Sequence, residues 1–112
     1  MRVLVCGSRN WEHEEIIVWR LDELQPSEII QGGAAGADLM AFTWACDNAV
    51  PVTTYEPNYQ EHGRSAPLKR NIAMLDTNPD LVLAFWNGQS RGTKHTIDQA
   101  RKRGIKVEVI EG

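Results

Sequence analysis

Only two cysteines and three histidines occur among the 112 residues, and the histidines are scattered, with no carboxylate or cysteine cluster to complete a ligand set. Neither a disulfide framework nor a metal site is expected. Cys6 and Cys46 each stand alone inside an apolar segment and read as small buried thiols kept reduced. Long apolar runs are also missing: the longest, Leu81 to Trp86, falls far below the roughly 20 residues of a membrane helix. The sequence opens on a strand-like segment instead of a signal peptide, so the expectation is a cytoplasmic protein with no membrane partner. Positive charge is in short supply as well. Twelve Lys and Arg face 15 Asp and Glu, giving a net charge of −3. No net field is there to hold a nucleic-acid backbone, and a nucleic-acid partner is not expected. No repeat, low-complexity tract or linker divides the chain, so residues 1–112 are expected to form one domain with a core of its own.

What the sequence does contain is alternation. Arg2 to Cys6, Glu28 to Gln31, Pro51 to Tyr55, Asp80 to Trp86 and Ile105 to Ile110 are short apolar or β-branched runs ended by turn residues, and they read as five strands. Four segments with helical spacing lie between them. Strand alternating with helix predicts an α/β protein, a Rossmann-like three-layer fold with a parallel sheet in the order 3-2-1-4-5. The first helix carries Ile17, Leu21 and Leu24 on one stripe, with Asn10 as its N-cap and Pro26 as its stop. Leu39, Phe42, Thr43 and Cys46 form the expected stripe of the second. In the third, Leu68, Ile72 and Leu75 follow Ser65 as cap and Pro67 in the first turn. The fourth turns Ile97 and Ala100 inward, sets Arg101, Lys102 and Arg103 against its dipole and ends at Gly104. The segment from Glu56 to Arg64 is a long connection of the kind that serves as a lid.

Three loops each follow a predicted strand and lead to a helix: Gly7-Ser8-Arg9, Gly32-Gly33-Ala34-Ala35-Gly36-Ala37-Asp38 and Asn87-Gly88-Gln89-Ser90-Arg91-Gly92-Thr93. In a parallel sheet such loops all emerge at the carboxyl edge, where a crevice opens as the strand order reverses. Glycines admit a ligand close to the backbone, and helix N-termini offer unpaired N–H groups, so the three together form a phosphate site. Ser90 and Thr93 add hydroxyls, and Arg9 and Arg91 add charge-assisted contacts.

On these residues the chain resembles the SLOG superfamily and, within it, the YspA-like (DUF2493) family. The resemblance rests on the strand and GSR turn from Val3 to Arg9, GGAAGAD from Gly32 to Asp38, Arg70-Asn71 with Met74 in the third helix, and SRGT from Ser90 to Thr93. It implies loops that hold the phosphate and ribose of a nucleotide or an ADP-ribose-like molecule, contacted by Gly7, Ser8, Arg9, Gly32, Gly33, Gly36, Asp38, Arg70, Asn71, Ser90, Arg91, Gly92 and Thr93. LOG-type phosphoribohydrolases of the same superfamily release a base from a nucleoside monophosphate and carry two glutamates after their Gly-Thr pair. His95 and Thr96 stand there in this chain. An N-glycosidase activity, with Arg70 as the candidate catalytic residue, is therefore the alternative reading, with Glu56, Glu61 or Asp38 as substitute acids. The DNA-processing protein A family also shares the GSR turn and the Arg-Asn pair, which makes single-stranded DNA binding a third reading.

Several residues have two readings from sequence alone. Arg70 points away from its helix stripe and is either a solvated charge or a ligand contact. Asn71 borders the stripe and needs a hydrogen-bond partner. Asp38 either favours the dipole of the second helix and braces its loop, or binds a ribose hydroxyl. Tyr59 and His62 in the long connection could reach a base or a phosphate; His13 and His95 read as surface positions. Trp19 and Trp44 fall off their stripes and predict a homodimer or higher oligomer through the first two helices, whereas Trp11 and Trp86 lie near the ligand edge. The reading that results is a sensor or sequestering protein for a nucleotide-derived small molecule, without a cofactor.

Overall fold

The computed structural model describes residues 1–112 and bears out the alternation. The elements run β1 (Arg2–Gly7), α1 (Glu14–Leu24), β2 (Glu28–Gln31), α2 (Ala37–Asp47), β3 (Val52–Thr54), α3 (Tyr59–His62), α4 (Ala66–Asp76), β4 (Leu81–Trp86), α5 (Arg91–Lys102) and β5 (Val107–Glu111). The five strands form one sheet in the order β3-β2-β1-β4-β5, and every pairing is parallel. None of the helices is long and apolar enough to cross a membrane.

β1 and β4 lie at the centre and read as continuous apolar runs because both of their faces are covered. The pleat sends alternate side chains to opposite layers. Val3, Val5, Leu83 and Phe85 pack against Ile17 and Leu21 of α1 and Ala41, Trp44 and Ala45 of α2. Leu4, Cys6, Val82 and Ala84 meet Met74 and Leu75 of α4 and Ile97 and Ala100 of α5. Helices α1 and α2 thus cover one face of the sheet, and α4 and α5 the other.

Four expectations about the helices are corrected. The stripe of α2 is inverted: Leu39, Phe42, Thr43 and Cys46 are exposed, while Ala37, Ala41, Trp44 and Ala45 face the sheet. Three alanines let the helix approach the strands closely, and bulkier side chains there would hold it off. Cys46 is accordingly an exposed thiol and only Cys6 is buried. Asn10 does not cap α1, which begins at Glu14 with His13 at the N-cap and no side-chain cap; Glu14 and Glu15 in the first turn offset the dipole instead. In α4, Leu68 is exposed and the inward positions are Ala66, Asn71, Met74 and Leu75. Trp44 is not an exposed interface residue either. It is buried, and its indole N–H donates to Asp22 Oδ1 of α1 at 2.8 Å.

The long connection between β3 and α4 contains the single turn α3 and a 3₁₀ turn, Gly63–Ser65. Its Asn58 caps α3 by accepting from the Glu61 amide at 3.1 Å.

Candidate functional site

From β1 the chain crosses to β2 on one side, and from β4 it crosses to β5 on the other, so the β1–β4 boundary is where the strand order reverses. The three loops at this edge are tied together through Ser8, which is buried. The Ser8 amide donates to Phe85 O at 2.9 Å, its hydroxyl accepts from the Asn87 amide at 3.0 Å, and its carbonyl accepts from the Ala37 amide at 3.4 Å. A fourth tie runs from Asn87 Nδ2 to Asn10 Oδ1 at 3.1 Å. Gly36 completes the assembly. Its φ is +74°, and a Cβ there would stand 2.4 Å from the carbonyl oxygens of both Ser8 and Arg9, so only glycine lets the second loop close on the first.

Between the loops and α4 lies a cleft of about 510 Å³. Of the residues expected at the site, Gly7, Ser8, Arg9, Gly32, Asp38, Arg70, Asn71, Ser90, Gly92 and Thr93 line it, and Gly33, Gly36 and Arg91 do not. Gly36 lies behind the wall as a packing residue. Gly33 is exposed, its amide bonded to Gln31 Oε1, and Arg91 is exposed on the first turn of α5. Asn10, Pro67 and Thr96, expected in other roles, also line the cleft, as do Asn87 and Gln89 of the third expected loop, which sequence reasoning does not single out as contacts. Asn87 carried a signal as the first residue after β4: its Oδ1 accepts from the Gln89 and Ser90 amides at 2.9 and 3.1 Å and turns the chain toward α5.

Arg70 dominates the electrostatics. Its guanidinium is half-buried and donates through Nη1 to Gly32 O at 2.7 Å and Tyr55 O at 3.3 Å, and through Nε to Asn71 Oδ1 at 2.9 Å. All three acceptors are neutral, and no carboxylate lies within ion-pair distance of it. Burial pulls the Arg70 pKa below its ordinary value. The side chain lies flat across Gly32, where a Cβ would come within 2.4 Å of Nη1. The partner that Asn71 required is thus present: it orients Arg70 and, through Nδ2, donates to Gly92 O at 3.3 Å, which links α4 to the start of α5. The first two amides of α5, at Arg91 and Gly92, take no acceptor within the chain. Ser90 and Thr93 spend their hydroxyls on each other, 3.0 Å apart, and Ser90 Oγ caps α5 through the Thr93 amide.

Asp38 braces the second loop. Its Oδ2 accepts from the Gly32 and Ala34 amides, both at 3.2 Å, while its Oδ1 is buried with no partner. Desolvation raises its pKa to about 6, against the lowering effect of those amides and of Arg70 and Arg9. Because the folded value lies above the ordinary 3.8, the protonated form is the one folding favours. That contribution is complete below about pH 3.8 and is lost as pH rises through about 6. His95, half-buried beside Asn71 and not a plain surface residue, has its pKa lowered by burial and acts in the opposite sense on acidification. Comparison of the wild type with Asp38→Asn isolates the carboxyl. Urea unfolding at pH 7 and pH 5 is expected to show about 1 kcal/mol more stabilisation on acidification in the wild type than in the variant. Equal slopes would remove the assignment.

Other candidates lie elsewhere. Trp11 is buried against Phe85 with ring centroids 5.5 Å apart, and Trp86 donates its indole N–H to Ser90 O at 3.0 Å, so both brace the edge without lining the cleft. Tyr59 is exposed, and His62 lines a separate hollow of about 150 Å³ with Glu56 and Lys69, one that shares only Arg70 with the cleft. Glu61 lines neither.

With this geometry in place, residues 1–62 match a family model described as the YspA, cpYpsA-related SLOG family. The chain belongs to that SLOG family. It is also 38% identical to the Gene 61 protein of Mycobacterium phage D29, in an alignment covering 95% of this chain and 93% of that one. Among solved structures, DNA processing protein A (DprA) from Streptococcus pneumoniae superposes with a TM-score of 0.83 at 18% identity, over 99% of this chain. At that identity the likeness is one of fold, and the SLOG chain spans half the length of the pneumococcal protein. The GSR and GGAAGAD turns that carried the resemblance both fall inside the matched residues.

Proposed function

We propose that this SLOG protein binds a phosphorylated nucleotide or nucleotide-derived molecule in the cleft, as a sensor or sequestering protein. One observation carries the reading. Arg70 is a half-buried cation whose bonds all go to neutral oxygens and which makes no direct ion pair; the Asp38 carboxyl, itself shifted toward its neutral form, acts on it only through space. A desolvated charge left in that state costs free energy that an anionic ligand would offset. The free amide of Gly92 at the start of α5 and the unpaired Arg9, both lining the cleft, suit the same phosphate.

Binding without hydrolysis is the version the chemistry favours. Asp38 is the sole carboxylate lining the cleft, and one of its oxygens holds two loop amides while the other is buried. An oxocarbenium-like transition state needs an acid or base free to act beside the sugar, and Glu56 and Glu61 lie outside the cleft.

A thermal-shift screen with inorganic phosphate, nucleoside monophosphates, cyclic nucleotides and ADP-ribose tests the proposal. A ligand at about 100 times its Kd adds roughly 2.7 kcal/mol, which raises Tm by several degrees in a chain of this size. No shift with any of them would overturn it. Free base released in the same incubations would replace it with the N-glycosidase reading, and salt-sensitive binding to oligonucleotides alone would favour single-stranded DNA.

A further inference from the structure

The net charge of −3 conceals a strong separation. From residue 10 to residue 63 the chain carries ten carboxylates and one Lys or Arg, Arg20, whereas from 64 to 106 it carries nine Lys and Arg against three carboxylates. The fold carries most of this division into space: α1 and α2, with Glu14, Glu15, Asp22, Glu23 and Asp47, cover one face of the sheet and α4 and α5 the other, while Glu28 stands on β2, Asp38 is buried at the cleft, and Glu56 and Glu61 belong to the connection before α4. On the first face Glu12, Glu14, Glu23 and Asp47 are exposed, and the lone cation is already engaged: Arg20 bonds Glu108 with both Nε and Nη2. On the second, Lys69, Arg101 and Lys102 are exposed and have no ion-pair partner.

Both faces also expose apolar surface. Trp19, Leu39 and Phe42 are 57%, 58% and 42% exposed on α1 and α2, and Leu68 is 44% exposed on α4. Exposed side chains of this size on neighbouring helices mark contact surfaces.

We propose that these two faces are partners for one another: the acidic α1–α2 face of one copy docks on the basic α4–α5 face of the next. The occupant is a second copy of this chain because each copy supplies both complementary fields at equal concentration. A two-fold dimer through α1 and α2 would oppose the acidic face to itself, and like charges brought together in that way repel. Front-to-back contact instead joins opposite fields, and its geometry generates a ring or an open row of copies.

The test is sedimentation velocity on the full chain with charge-reversed variants. Glu12→Lys with Asp47→Lys reverses part of the acidic face, and Arg101→Glu with Lys102→Glu part of the basic one; Lys69→Glu, in the first half of α4, serves where the α5 pair fails to fold. None of these side chains lines the cleft. Wild type at 20 mM salt is expected to sediment above the monomer in proportion to concentration and to return to the monomer at 500 mM, where screening shortens the reach of the fields. Each reversed variant alone is expected to associate at least tenfold more weakly, and an equimolar mixture of the two to recover association. A wild type that stays monomeric at low salt would overturn the proposal. So would association that survives reversal of the basic face, since a two-fold α1–α2 contact does not use it.

Discussion

Arg70→Ala is expected to reduce affinity for the best nucleotide of the screen by at least about 100-fold, a loss near 2.7 kcal/mol. The size follows from what the guanidinium does. It is a charge already desolvated and already aimed by Asn71 and by the carbonyls of Gly32 and Tyr55, so little ordering remains to be done when an anion arrives. Charge-assisted bonds to phosphate made under those conditions are among the stronger polar contacts a protein offers. Arg70→Lys keeps the charge and loses the fork that spans Gly32 O and Asn71 Oδ1, so an intermediate loss of about tenfold is expected. Calorimetric titration of the three proteins gives the order directly. If Ala at this position leaves affinity unchanged, the anion is held elsewhere and the proposed site is wrong.

Gly36→Ala is expected to cost about 3 kcal/mol or more of folding stability. A positive φ at a residue with a Cβ accounts for roughly 1–2 kcal/mol of this. The remainder comes from contact with two backbone carbonyl oxygens, those of Ser8 and Arg9, which cannot rotate away. Gly33→Ala is the built-in comparison. Gly33 has the same φ of +74°, but its nearest neighbour would be the Thr54 Cγ2 methyl at 3.0 Å, on an exposed side chain, so a cost of about 1 kcal/mol is expected. The difference between the two urea midpoints reports the close approach of the loops together with the ψ of −125° at Gly36. Similar midpoints would show that the first and second loops tolerate separation.

The sheet was legible because its signal is redundant. Each strand is a short apolar run between turn residues, and the parallel order follows from the alternation with helices. Glu28 to Gln31 matches β2 at both ends, and the others differ by no more than two residues at either end. Helix faces were less legible, since hydrophobicity alone was asked to choose the inward side. In α2 the most apolar residues, Leu39 and Phe42, face outward because closeness to the sheet selects small side chains and Trp44 finds Asp22 for its indole N–H. The same bias left Arg70 with two readings, a solvated charge or a ligand contact, because it lies opposite the expected stripe of α4; the inward positions are in fact Asn71 and Met74, and Arg70 lines the cleft beside them. In the cleft the glycine loops were legible and their division of labour was not. Glycine at 32 and at 36 looks alike in sequence, yet one makes room for the Arg70 side chain and the other for two neighbouring carbonyls. The concentration of carboxylates before residue 64 and of cations after it is plain in the sequence; only the sheet topology turns it into two opposed faces.

Ser8 ties the whole edge together. Its amide, hydroxyl and carbonyl join β4, the loop that follows it and the start of α2, so the rim is held by bonds made within the chain. For the ligand proposed here, that rim would act as a mould already cast. Its affinity would then not be diminished by having to freeze loose chain, and selection among similar molecules would rest on whether their contours and charges fit a fixed outline.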